Sequence, residues 1–142
     1  MPQTTWMLTA ADSRALIDHV VAAATQLDLS VTVAVAEAGG HVVALHRMDD
    51  AKLASIKAAT AKAWTAAMFR RSAADYALST TPGQESWGLL TPFAGHMLPA
   101  PGGEPIMHLG SCVGGLGVSG ATADQDSRLA LSAIAAFNEQ TR

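Results

Sequence analysis

Cysteine is nearly absent. Cys112 is the one thiol in 142 residues, so no intrachain disulfide can form and the core must hold the fold together. Charge is also scarce: 15% of residues are charged, against roughly 25% in an average soluble domain. The 9 basic and 12 acidic side chains sum to −3, and no basic stripe exists to follow a phosphate backbone, which argues against nucleic-acid binding. The lone basic cluster, Arg70-Arg71, falls where a helix should end, and cations there suit the helix dipole. No apolar run approaches the ~18 residues that cross a bilayer. Met1 to Ala11 carries neither a basic start nor an apolar stretch, so no secretory leader is expected and the reducing cytoplasm is the expected compartment. The H-E-x-x-H, C-x-x-C, C-x-x-C-H and G-x-S-x-G patterns are missing too, so a zincin site, covalent haem attachment and a hydrolase elbow find no support.

What is present is apolar residue, at 49%, enough for one folded domain over 1–142. Few charges over a small domain leave much neutral surface, which points to burial between subunits and a homo-oligomer. Thr9-Ala10-Ala11-Asp12 reads as a helix start, and Ile17, Val20, Val21, Ala24 and Leu27 follow at helical spacing, predicting a helix over 10–27. Val31, Val33 and Val35 alternate with small residues, Gly39-Gly40 turns, and 41–48 returns as a second strand. An alanine-rich helix is expected over 52–69, with a short one over 72–78. Two short strands follow, near His96–Leu98 and Glu104–Leu109, then a strand over Cys112–Ser119. Thr122-Ala123-Asp124-Gln125 is a capping box that opens a last helix to about Asn138. Hairpin-linked strands covered by returning helices give an α+β domain with a five-stranded antiparallel sheet in α/β/α layers.

Gly115-Leu116-Gly117-Val118-Ser119-Gly120 matches G-x-G-x-x-G. Only 22 residues follow, all taken by one helix, so no second parallel strand completes a dinucleotide unit. The plainer reading is a glycine-rich strand lying tightly under a helix. Of the five histidines, His46, His96 and His108 fall on three candidate strands and could converge on a metal or a haem iron. Met97 and Met107 adjoin two of them and offer sulfur, or simply fill core. Arg47 either pairs with Asp49 at the surface or presents its planar fork to a carboxylate. Lys62, set among alanines, either snorkels to water or sits desolvated as a base or carbonyl partner.

Taken together, Thr9 to Asp12, Val33 to Ala44, Arg47-Met48-Asp49, Lys62 to Ala66, Pro99 to Ile106, Gly115 to Ala121 and Asp124-Gln125-Asp126 resemble the GlcG/HbpS family of haem-binding or haem-degrading domains. The same domain closes some PduO-type corrinoid adenosyltransferases. The resemblance runs from about Leu8 to about Ala136. It implies a profilin-like fold, homo-oligomers, and binding of haem or a related tetrapyrrole. His46, His96 and His108 stand outside the family pattern and are the candidate iron or divalent-metal ligands, with Met97 beside them. The alternative expectation is an isomerase, lyase or hydrolase acting on a small carboxylate- or carbonyl-bearing metabolite. Arg47 would then orient the anion, and Lys62 or a histidine would move the proton. Both expectations require these side chains to gather around one concavity.

Overall fold

The computed structural model describes residues 1–141. Three helices and four strands run in the order α1 (Ala10–Gln26), β1 (Thr32–Glu37), β2 (Val42–Arg47), α2 (Ser55–Phe69), β3 (Gly103–His108), β4 (Ser111–Ser119) and α3 (Ala123–Gln140). Short 3₁₀ turns at Ala73–Tyr76 and Trp87–Leu90 break the long connection between α2 and β3. The sheet is antiparallel throughout, in the order β2-β1-β4-β3.

Both expected capping boxes form. The Asp12 amide donates to Thr9 Oγ1 at 3.0 Å, and the Thr9 amide donates back to the Asp12 carboxylate at 2.9 Å. Thr122 and Gln125 make the same reciprocal pair at the start of α3. Each box satisfies amides that the first helical turn leaves without carbonyl partners.

The alternation in β1 sorts the two layers. Val33 and Val35 point to one face, where they join Leu16, Ile17 and Val20 of α1 and Leu129, Ala133 and Phe137 of α3 in the main core. Ala34 and Ala36 point to the other face and meet Ala59 and Ala63 of α2. Large side chains thus separate the sheet from α1 and α3, while alanine methyls make the apolar contact between β1 and α2.

Glycine makes that second contact closer still. A Cβ on Gly117 would collide with the Ala59 carbonyl oxygen and lie 2.7 Å from the Ala63 nitrogen. A Cβ on Gly115 would lie 2.8 Å from the Ala67 nitrogen. The G-x-G-x-x-G stretch is therefore a bare strip of β4 on which α2 rests backbone to backbone, as the plainer reading holds.

The sheet has four strands, not five. The segment near His96–Leu98 is a turn: the His96 and Met97 amides both donate to the Phe93 carbonyl, at 2.9 and 3.0 Å. The Leu98 amide donates to Thr65 Oγ1 on α2 at 2.9 Å. With its amides directed to its own turn and to a helix, the segment has none left for a strand neighbour. Among the described residues, no helix is long and apolar enough to cross a membrane.

Candidate functional site

α2 has two working stripes. Ser55, Ala59, Lys62, Ala63 and Ala66 are buried toward the sheet. Ala54, Lys57, Ala58, Ala61 and Trp64 recur at the same helical spacing on the outer side and floor a groove. The loop carrying Gly95, His96 and Met97 forms the other wall. The groove comprises two adjoining cavities of about 270 and 400 Å³ that share Lys57, Ala61 and Gly95. Its lining is mainly apolar, and its single charged side chain is the Lys57 ammonium.

His96 stands exposed at the rim of this groove. Stacking holds its ring: the centroid lies 5.5 Å from that of Trp64, with the planes 35° apart. Trp64 also packs on Phe93 at 5.3 Å, and Phe69 packs on Phe93 and Tyr76 at 5.6 and 4.9 Å. These rings fasten the irregular connection between α2 and β3 onto the helix. Met97, next in sequence, is buried and lines the same groove.

The three histidines do not converge. His46 lies on edge strand β2, exposed, at a separate cavity of about 330 Å³ lined also by Arg14 and Asp18. His108 ends β3 at the opposite edge of the sheet, its ring 4.9 Å from that of Trp6 and nearly perpendicular to it. His96 is on the loop over α2. Among the described residues, no group of three or more His, Cys, Asp or Glu side chains could hold a metal ion. The expected convergence required three strands, and one of those three is the turn at His96.

Arg47 and Lys62 do not share a concavity either. Arg47 Nη1 donates to the carbonyls of Met48, Asp49 and Ala51 at 3.4, 3.0 and 3.2 Å. It bonds the Asp49 backbone rather than its carboxylate, and so closes the turn between β2 and α2. Lys62 does not snorkel to water. It is 5% exposed, and its ammonium donates to the Val118 carbonyl at 2.9 Å and to Asp126 Oδ2 at 3.1 Å. The other Asp126 oxygen accepts the Ala121 amide at 3.0 Å. One buried ion pair thus ties α2, β4 and the start of α3 together.

A second buried titratable side chain lies on β3. Glu104 on β3 is 7% exposed and accepts a hydrogen bond from the Ser72 hydroxyl. Burial raises its carboxyl above the ordinary 4.5, the Ser72 bond opposes this, and nearby Asp75 adds to it. A raised native value means that the folded state holds the proton more tightly than the unfolded chain does. This stabilisation is complete below 4.5 and is lost as pH rises through the native value. Glu104→Gln should therefore flatten the fall in urea midpoint between about pH 4 and pH 7 relative to the parent. Parallel curves for the two proteins would contradict this. At the β1–β2 turn the Glu37 carboxyl moves the other way, lowered chiefly by the His41 amide, which donates to it at 2.8 Å.

Fold and groove together define a small layered α+β domain, consistent with the profilin-like class. A family model described as "Haem degrading protein HbpS-like" matches residues 8–135, and the chain belongs to that family. It is 35% identical over 130 residues to the corrinoid adenosyltransferase PduO of Salmonella typhimurium, covering 92% of this chain but only 39% of that relative's length. Among solved structures, a PduOC:heme complex superposes with a TM-score of 0.88 at 34% identity, covering 94% of this chain and 96% of that one. The Klebsiella pneumoniae protein ORFY superposes with a TM-score of 0.92 at 28% identity, covering 96% and 94%.

Proposed function

We propose that the chain binds haem or a closely related tetrapyrrole in the groove along α2, with the His96 imidazole as the iron ligand. One observation carries this reading: of the three candidate histidines, His96 alone rims a predominantly apolar groove. The alanine stripe suits the apolar face of a macrocycle, and the cavity volumes fall in or just below the roughly 300–1,000 Å³ of small-molecule sites. The Lys57 ammonium is the groove's one charged side chain and would pair with a propionate. Met97 borders the same space with a polarisable thioether. Family membership and the haem complex of the related PduOC structure support the reading. A bound haem would supply a redox-active iron; the apolar groove would exclude water and His96 would present one nitrogen.

The open side of the groove and the exposed Val42, Val43 and Leu45 of edge strand β2 favour self-association, since an uncovered apolar strand edge invites pairing. A homo-oligomer fits this reading. Arg47 and Lys62, whose donors are directed to backbone carbonyls and Asp126, are assigned to the scaffold.

Titration of the protein with haemin should give a saturable shift of the Soret band. His96→Ala should abolish the histidine-ligated spectrum and weaken binding at least about tenfold, the effect of losing roughly 1.4 kcal/mol. His46→Ala and His108→Ala should titrate like the parent. A parent with no spectral change would end the proposal, and loss of the spectrum in His46→Ala instead would move the site to the far side of the sheet.

A further inference from the structure

We infer that Trp64 is a positioning residue for His96, and that the β1–β2 turn in turn positions Trp64. The inference rests on the reading of His96 as ligand, but its geometry stands apart from that reading. His96 belongs to an irregular loop, and loop side chains need support to hold one orientation. Side chains packed behind a metal ligand commonly provide that support. Here it is an aromatic plane: the indole of Trp64, 5.5 Å from the imidazole and inclined by 35°.

The indole is itself confined. Phe93 and Phe69 pack against it with centroids 5.3 and 6.3 Å away. On another side lies the backbone of Gly40, at φ +86, where an added Cβ would sit 2.6 Å from Trp64 Cδ1 and 2.8 Å from Nε1. The second glycine of the turn is thus the space into which the indole fits. The Gly39-Gly40 pair does two jobs: it reverses the hairpin and makes room for the ring behind His96. The order of dependence is turn, then indole, then imidazole.

Two measurements test this independently. In the ligand-free protein, the His96 ring protons lie close enough to the indole to feel its ring current. Trp64→Leu should move their NMR resonances, assigned by comparison with His96→Gln, toward those of a solvent-exposed histidine, and Trp64→Phe should move them less. Unchanged His96 resonances in Trp64→Leu would overturn the inference whether or not haemin binds. In the haemin titration, Trp64→Leu should bind about tenfold more weakly, the effect of losing one aromatic contact. Its low-temperature EPR signal should broaden into several ligand geometries, while Trp64→Phe stays near the parent. Gly40→Ala retains the tryptophan but displaces it, so it should reproduce the Trp64→Leu resonances and EPR broadening. Full affinity and a single sharp signal in Trp64→Leu would overturn the positioning role even with haem binding established. A parent that fails to take up haemin would refute the ligand assignment and leave the resonance result to decide the stacking.

Discussion

Lys62→Met should cost about 3–5 kcal/mol of folding stability, because it leaves the Asp126 carboxylate buried without its cation. For a domain of this size that lowers the melting temperature by on the order of 10 °C. The Val118 carbonyl loses its Lys62 donor at the same time. Asp126→Asn should also destabilise, since it leaves a buried ammonium against an amide. The double variant Lys62→Met/Asp126→Leu should recover part of the loss, because no orphan charge remains. It should not recover all of it, because Asp126 also accepts the Ala121 amide at the entrance to α3. A chemical role for this lysine makes a different expectation: lost turnover with the melting temperature nearly unchanged. Thermal denaturation of the three variants separates the two.

Gly117→Ala should be at least as damaging. The new methyl would meet the Ala59 carbonyl oxygen and the Ala63 nitrogen, all backbone, so no side chain can swing aside to admit it. Overpacking against movable side chains already costs about 1–3 kcal/mol. Here α2 must lift from the sheet, and about 3 kcal/mol is the expected minimum, read as a lower urea midpoint or as failure to fold. Gly88→Ala is the matched control. An added Cβ at Gly88 meets nothing within 4 Å, so that variant should melt like the parent. Equal melting temperatures for the two variants would refute the tight seating of α2.

The parts of the fold legible in the chain were those governed by local patterns. Thr9 with Asp12, and Thr122 with Gln125, announce helix starts because capping is a contact across three residues. The valine alternation of β1 and the Gly39-Gly40 turn announce a hairpin for the same reason. The glycines of β4 were readable as close approach because no other residue type permits it. The expected fifth strand failed because apolar residues around His96 carry no period, and the deciding partner, Thr65 Oγ1, lies 33 positions away.

The site was less legible, and for a related reason. Lys62 among alanines looks identical whether its ammonium meets water, substrate or Asp126. Only the fold, by bringing α3 to α2, makes the choice. Arg47 likewise has carbonyl partners whose positions depend on how the 48–51 turn closes. Of the candidates marked for a cofactor, His96 and Met97 fall on one groove, while His46 and His108 fall elsewhere. Lys57 and Trp64 were missed. The signal that could have found them was the second helical stripe of α2, 54, 57, 58, 61 and 64, running opposite the buried one.

That division of α2 has a consequence for redesign. The inner side is locked by main-chain contact and tolerates almost nothing, whereas Ala54, Lys57, Ala58 and Ala61 face outward from an unusually stiff support. A combinatorial library confined to those four codons would reshape the groove while the scaffold's melting behaviour stayed constant, so selectivity for pigments or dyes could be varied without trading it against foldability.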